Sequence, residues 1–111
     1  MHSIKKQPYE EFYLSGTILR VQQTGESIVL ANSTVTATDK DGTDVTSTIT
    51  KQSTMKVLTH PDSASGVRNN ALSVLVRAGS AAASPYKITY KMATDMSHKW
   101  EVDIYMYIEE L

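Results

Sequence analysis

Three aspartates in the stretch DKDGTD, residues 39–44, are the residues of this chain best suited to bind a cation. Asp39, Asp41 and Asp44 surround Gly42, and carboxylate oxygens are the ligands that calcium prefers. An EF-hand loop also needs its glycine and a late glutamate at fixed positions between two helices, and this stretch does not match that register. Asp-Gly is a preferred short turn, because glycine tolerates a positive φ. The stretch therefore indicates a hairpin turn, with weak cation binding as the alternative.

Three histidines are the other candidates for metal binding. His2 lies in the N-terminal segment, His60 begins a polar loop and His98 lies in a turn. No two of them have the close spacing at which one helix or strand presents two imidazoles to one ion. Asp62 could orient the imidazole of His60, but no serine in a strained elbow motif is present for that imidazole to activate. We therefore expect exposed histidines, without a metal site or a Ser-His-Asp hydrolase.

Two acidic pairs, Glu10-Glu11 and Glu109-Glu110, could supply the two carboxylates of a glycosidase-type reaction. Adjacent positions of a strand point to opposite faces of a sheet, so neither pair can flank one bond by itself. Both pairs are better explained as solvated charges near the termini. We expect no catalytic residue and no cofactor in this protein.

Two tyrosines near the C-terminus are candidates for a contact surface. In KWEVDIYMYI, residues 99–108, every second residue from the tryptophan onward is bulky and apolar. If the tryptophan faces inward, then Asp103, Tyr105 and Tyr107 face outward, and exposed aromatic side chains often mark an interaction surface. The alternative is that the tyrosines cover a neighbouring strand or pack on the N-terminal segment near Phe12.

The stretch HPDSASGVRNN, residues 60–70, is a second candidate surface, because it is the longest polar loop and carries an arginine and two asparagines. Long loops carry function more often than cores do, although many are only solvated. The candidate interaction residues are therefore Tyr105, Tyr107, Asp103, His60 and Arg68.

Composition limits the remaining classes of function. The chain has 111 residues, eleven lysines and arginines against twelve aspartates and glutamates, and no cysteine. The balanced charge provides no basic stripe for nucleic acid, and disulfides and thiolate metal sites are impossible. No stretch approaches the ~20 apolar residues of a membrane-spanning helix, and the N-terminal segment lacks the apolar run of a secretion signal. We expect one soluble domain over residues 1–111, with residues 1–7 as a flexible tail.

Seven candidate strands, separated by turn sequences, must position these residues. They cover residues 9–21, 28–38, 43–50, 54–59, 71–78, 85–94 and 99–108. A break at Ser15-Gly16 is an alternative for the first strand, and a helix is an alternative for residues 71–78. Strands at this spacing are typical of an all-β sandwich or barrel.

The last two strands alternate strictly between apolar and polar residues, which indicates an antiparallel hairpin. On its outer face, Lys87 and Lys91 would lie across from Glu101, Asp103 and Glu109, and opposite charges across strands stabilise a sheet. The predicted core consists of Trp100, Val102, Ile104, Ile88, Tyr90, Leu72, Val74, Val35 and Val45.

The second half of the chain combines several features in a fixed order. A Val-rich strand at residues 72–76 is followed by a Gly/Ala/Ser-rich corner at 78–84, by Tyr86 opening a Thr-rich strand, and by an Asp-containing hairpin that leads into the last strand. This order resembles small immunoglobulin-like β-sandwich proteins encoded in bacteriophage and prophage structural operons. The segments YEEFYL, GESI and DGTDVT match that family more loosely.

The resemblance implies an immunoglobulin-like antiparallel β-sandwich of about seven strands, with Tyr86 at a corner where its hydroxyl is hydrogen-bonded. It also implies a non-enzymatic structural or interaction module of a phage or prophage particle, associated with the virion or its tail. The partners would be other protein subunits, including copies of itself, and neither nucleic acid nor a membrane. The protein would reside in the cytoplasm of the bacterial host during assembly and afterwards in the virion. The alternative is a carbohydrate or cell-surface binding module that uses Tyr105, Tyr107 and Asp103.

Overall fold

A computed structural model describes residues 2–18, 22–61, 63 and 68–110. In this part of the chain, seven strands form two sheets in a sandwich-like arrangement, as the alternating pattern predicts. The strands are β1 (His2–Lys6), β2 (Phe12–Thr17), β3 (Thr34–Thr38), β4 (Thr50–Leu58), β5 (Ala71–Val76), β6 (Tyr86–Ala93) and β7 (Lys99–Ile108).

The two sheets have the strand orders β1-β7-β6-β3 and β2-β5-β4. Four of the strand pairs are antiparallel, as predicted. The pair β1–β7 is parallel, so the prediction of a purely antiparallel sandwich is wrong at this edge. The reason is that β1 does not continue into a hairpin within its own sheet, because residues 7–11 carry the chain across to β2 in the other sheet.

Residues 2–6 form strand β1, although the sequence predicts a flexible tail there. The backbone N–H of Glu109 donates a 2.8 Å hydrogen bond to the Lys6 carbonyl, and Ile4 packs against the core. The Lys6 side chain is buried, and its Nζ donates to the carbonyls of Gln7, Pro8 and Ala78 at 2.9, 3.2 and 2.6 Å. Burial lowers the pKa of this amine, although the nearby Glu10 opposes the effect. The buried lysine thus joins the end of β1 to the segment that follows β5.

The core lies between the two sheets and contains the inward-facing residues of β3, β5, β6 and β7. Six of the nine predicted core residues are buried: Val35, Leu72, Val74, Ile88, Tyr90 and Ile104. The other three, Val45, Trp100 and Val102, are partly buried and pack against this cluster. The alternation predicted for β7 is confirmed, since Ile104, Met106 and Ile108 are buried whereas Tyr107 is 38% exposed.

Two predicted strands differ from the structure. Residues 46–49 form a helical turn, α1 (Thr46–Ile49), where a strand over 43–50 was predicted. The Asp44 carboxylate accepts hydrogen bonds from the backbone N–H and the hydroxyl of Thr46, at 2.9 and 2.7 Å, and so favours the helical turn. In the predicted strand 28–38, a 3₁₀ turn over Leu30–Asn32 precedes β3.

The remaining strands agree with the sequence pattern. Strand β2 passes through Ser15 and Gly16 without a break, and residues 71–76 form a strand and not a helix. Strand β4 is longer than predicted, and its pairing with β5 shifts register between Lys51 and Lys56. Residues 19–21 of the first predicted strand lie outside the described part of the chain.

Tyr86 begins β6 at the corner that the sequence predicts. Its ring is buried, and its hydroxyl accepts a 3.0 Å hydrogen bond from the backbone N–H of Ser80. A 3₁₀ turn over Ala81–Ala83 lies between these two residues. The tyrosine therefore fixes the path of the chain from β5 to β6.

Candidate interaction surfaces

The outer face of the four-stranded sheet carries three of the predicted interaction residues, Asp103, Tyr105 and Tyr107. All three are on β7, where they alternate with buried residues. Tyr105 lies between Ser3 of β1 and Lys87 of β6, and Tyr107 lies beside Lys5. Of the two tyrosine side chains, that of Tyr107 is exposed to solvent and that of Tyr105 is partly buried. The structure thus places both rings on one sheet face.

The charges around these tyrosines are paired with one another. Asp103 accepts a 2.8 Å hydrogen bond from the Thr89 hydroxyl and lies 3.8 Å from the Lys87 ammonium. The Lys5 ammonium lies 3.2 Å from the Glu109 carboxylate. Exposed pairs of this kind contribute only about 0–1 kcal/mol each to stability. Their main effect is to leave the tyrosine region close to electrical neutrality.

His60 and Arg68 lie at the opposite end of the sandwich from Tyr107. The carbonyl of Arg68 accepts a hydrogen bond from the Gln22 side chain, and the neighbouring Asn69 carbonyl accepts from Ile28. Ile28 pairs with Thr94, at the end where β6 passes into β7. The five predicted residues therefore do not form one surface. Residues 62 and 64–67 of the predicted loop lie outside the described residues.

Glu26 joins the segment before β3 to the β6–β7 turn, a contact that no pattern in the sequence predicts. Its carboxylate is buried and accepts from the Gln23 backbone N–H at 3.0 Å and from the Thr94 hydroxyl at 2.6 Å. The Nδ1 atom of His98 lies 2.8 Å from the same carboxylate. Asp95 reinforces this connection, because its carboxylate and backbone N–H both bond to the backbone of Ser27.

The hydrogen bonds to Glu26 keep it ionised in a buried site. Burial by itself raises the pKa of Glu26, but the bonds from Thr94, Gln23 and His98 outweigh burial and hold the pKa at about 2. The indole N–H of Trp100 also favours the ionised form, although it makes no hydrogen bond to any described residue. The Trp100 ring meets the His98 ring edge-on, with centroids 5.7 Å apart. His98 is therefore held from two sides.

The two edges of the four-stranded sheet differ in their capacity to accept a further strand. At β3, the backbone N–H of Ala37 donates to the Thr46 hydroxyl, and the Ala37 carbonyl accepts from the backbone N–H of Val45. The Val35 carbonyl accepts from the side chain of Gln52. These bonds close the β3 edge.

Within the described part of the chain, the β1 edge remains open to a further strand. The Lys6 carbonyl faces β7, so by alternation the backbone groups of Ser3 and Lys5 face outward. Among the described strands, none lies beyond β1.

The aspartates of residues 39–44 bond to their own backbone. One Asp39 oxygen accepts 3.0 Å hydrogen bonds from the N–H groups of Asp41 and Thr43, and Gly42 has a φ of 84°. These contacts are those of a tight turn. Within residues 2–18, 22–61, 63 and 68–110, no group of three or more His, Cys, Asp or Glu side chains could hold a metal ion.

No protein-family model matches this chain, and no curated protein matches it. The helices in the described part of the chain are all too short or too polar to cross a membrane.

Proposed function

We propose that this protein is an immunoglobulin-like β-sandwich that acts without catalysis, as an interaction module of a phage or prophage particle. Its contact surface would be the outer face of the four-stranded sheet around Tyr105 and Tyr107. The observation that carries the proposal is the placement of both tyrosines on one sheet face, among charges that are already paired.

The strand order supports the immunoglobulin-like part of the proposal. An immunoglobulin constant domain has strands A, B, E and D in one sheet and C, F and G in the other. If β2 to β7 are labelled B to G in chain order, the sheet β2-β5-β4 becomes B-E-D and the strands β7-β6-β3 become G-F-C. Strand β1 then takes the place of the first strand, in the sheet of G. The bond between the Tyr86 hydroxyl and the Ser80 backbone corresponds to the tyrosine corner of such domains.

The tyrosine face has the chemistry of a protein contact. Tyrosine supplies a large apolar ring and a polar hydroxyl, and it is enriched among the residues that dominate binding energy. Removing unpaired charges from water costs far more than covering charges that already have partners. Because Lys87 is paired with Asp103 and Lys5 with Glu109, a partner can cover this region without isolating a charge. A partner subunit in the particle is supported by the family resemblance of residues 72–108.

Incorporation into particles tests the proposal. The host that carries the gene is induced to produce particles, and the purified particles are analysed for this chain by quantitative mass spectrometry. We expect the wild-type chain to be present and the Tyr105→Ala/Tyr107→Ala variant to be reduced by roughly tenfold or more, which is the effect of losing aromatic contact residues. Tyr13→Ala is the matched control, because Tyr13 is 50% exposed but lies on the other sheet.

Two outcomes would contradict the proposal in different ways. Absence of the wild-type chain from purified particles would remove the particle assignment. Incorporation of the double variant at the wild-type level would remove the tyrosine face as the contact surface. Circular dichroism of each purified variant establishes that its fold is retained.

A further inference from the structure

Ala93 creates a depression on the outer face of the four-stranded sheet, at the end away from Tyr107. On this face, Ala93 pairs with Lys99, while Lys91 pairs with both Glu101 and Thr34. The small alanine side chain is thus surrounded by longer ones. The resulting cavity has a volume of about 400 Å³. Its polar walls come from Asn32, Thr34, Lys91, Lys99 and Glu101.

A second cavity of about 470 Å³ adjoins the first. The two share Asn32, Ala93 and Lys99 as lining residues, and the second extends to Ser97 and His98 in the β6–β7 turn. Together they form one groove, from Glu101 past Ala93 to His98. We call it the Ala93 groove.

The polar side chains of the Ala93 groove have hydrogen-bonding capacity that the protein does not use. The side chains of Lys91, Lys99, Glu101 and Asn32 form neither hydrogen bonds nor ion pairs with the residues that the structure describes. At the other end of the same face, Lys87 and Asp103 are paired. One sheet face therefore has a neutralised end and an end whose donors and acceptors are available.

His98 is a preorganised member of this groove. Its Nδ1 lies 2.8 Å from the buried, ionised Glu26, so Nδ1 carries a proton and the ring orientation is fixed. The Trp100 ring supports it from a second side. The Nε2 atom lies on the ring edge away from Glu26 and has no hydrogen bond within the described part of the chain. Side chains held by buried partners in this way are typical of binding sites.

We propose that the Ala93 groove binds an anionic saccharide, with a hexuronate unit over Ala93. Its carboxylate would lie between the ammonium groups of Lys91 and Lys99, and its hydroxyls would bond to Asn32, Glu101 and Nε2 of His98. Outward-facing residues two apart on a strand are separated by about 6.8 Å, and neighbouring strands by about 4.8 Å. A patch three strands wide and two such positions long therefore matches one pyranose ring with its substituents.

The chemistry of the groove favours a saccharide over other ligands. A sugar has alternating donors and acceptors and an apolar ring face, which suits ammonium, amide and carboxylate groups around an alanine methyl group. The two lysines add a preference for a negative charge, and a saccharide, unlike inorganic phosphate at neutral pH, also has several hydroxyl donors for the Glu101 carboxylate. This inference is independent of the tyrosine face and of the particle, since it involves different residues.

Isothermal titration calorimetry of the full chain with an oligogalacturonate tests the proposal. A neutral gluco-oligosaccharide of the same length and inorganic phosphate are titrated in parallel. We expect the oligogalacturonate to bind, and the other two to bind at least roughly tenfold more weakly. Lys91→Ala or Lys99→Ala should each weaken oligogalacturonate binding by roughly tenfold or more, which is typical for the loss of a charged hydrogen bond.

Two further variants separate the groove from general surface charge. Lys87→Ala removes the same charge from the same face of β6 outside the groove, so it should leave the affinity unchanged. Ala93→Leu fills the depression without removing a charge and should abolish binding. The proposal is overturned if the oligogalacturonate does not bind, if phosphate binds equally well, or if Lys87→Ala weakens binding as much as Lys91→Ala.

Discussion

The hydroxyl of Tyr90 donates a 2.6 Å hydrogen bond to the carbonyl of Leu14, across the interior of the sandwich. Tyr90 is fully buried at the centre of β6, and Leu14 is on β2 in the other sheet. The phenol hydroxyl thus bonds to a backbone carbonyl of the opposite sheet. This contact requires the two sheets to approach closely at β2, and Gly16 makes the approach possible. A Cβ atom on Gly16 would lie 2.7 Å from Cγ of Tyr90.

Gly16→Ala is expected to destabilise the fold by about 1–3 kcal/mol, the usual cost of overpacking a core. The added methyl group would meet the Tyr90 ring, which is fully buried. Urea unfolding followed by circular dichroism measures the loss. Ser15→Ala, at the neighbouring outward position of β2, is the control and should change stability little. Equal stability of the two variants would show that the sheets can separate at this point without cost.

Tyr90→Phe should lower the free energy of unfolding by about 1 kcal/mol, because the Leu14 carbonyl loses its hydrogen-bond donor. The ring and its packing are retained, so the effect reports the hydroxyl alone. Urea unfolding measures it, and Tyr105→Phe on the outer face is the matched control. A Tyr90→Phe variant as stable as the wild type would mean that water replaces the hydroxyl at this carbonyl.

Lys6→Met is expected to destabilise the protein by about 1–3 kcal/mol, since three carbonyls lose a charged donor while the apolar part of the side chain is kept. We also expect faster amide exchange in β1, because Lys6 ties this strand to Ala78. Hydrogen exchange and urea unfolding check the two effects. Lys5→Met is the control, since the Lys5 side chain is 74% exposed and forms only a surface pair. Comparable losses for both lysines would contradict a specific role of the buried amine.

Glu26 is expected to make stability depend on pH between about 4.5 and 2. Its pKa is about 2 in the folded protein against an ordinary value of 4.5. The folded-state pKa is the lower one, so the stabilisation is complete above pH 4.5 and is lost as the pH falls toward 2. Urea unfolding at a series of pH values should therefore show a decline over this range.

Glu26→Gln should reduce stability at pH 7 and flatten the decline between pH 4.5 and 2, because the titrating carboxylate is gone. Glu101→Gln is the control, since Glu101 is exposed and forms no hydrogen bond or ion pair with the described residues. An unchanged acid decline in Glu26→Gln would assign the decline to other carboxylates.

The hairpin of β6 and β7 could be predicted from sequence because its information is local. Apolar residues recur at every second position over both strands, and only a few residues separate them. Because apolar and polar residues alternate, the buried face of the hairpin must be the apolar one, and this assigns Ile88, Tyr90 and Ile104 to the core. The outward position of Tyr105 and Tyr107 follows from the same alternation.

The segment 43–50 was predicted wrongly because its spacing is ambiguous. Val45 and Ile49 are four residues apart, which satisfies both the period of a strand and that of a helix. Hydrogen bonds from Thr46 to the Asp44 carboxylate favour the helical turn over the strand. These bonds depend on side-chain geometry, which the spacing of apolar residues does not reveal. The turn chemistry of Asp followed by Thr is the signal that could have indicated a helical start.

The burial of Lys6 and Glu26 could not be predicted from the sequence pattern. Lys6 and Glu26 are charged types that are normally exposed, and their partners are distant in sequence. Ala78 is 72 residues from Lys6, and His98 is 72 residues from Glu26. Strand β1 was missed for a related reason, since HSIKK has a single large apolar residue and its burial depends on contacts with β7.

The closed edge at β3 has a consequence for how copies of this protein can join. Because α1 and β4 occupy that flank, whereas no strand of the described residues lies beyond β1, the four-stranded sheet has room for a further strand only at β1. Two copies that meet at β1 would share an eight-stranded sheet with both outer flanks sealed. Such a pair is isologous and self-limiting, so this sheet cannot propagate into a fibre.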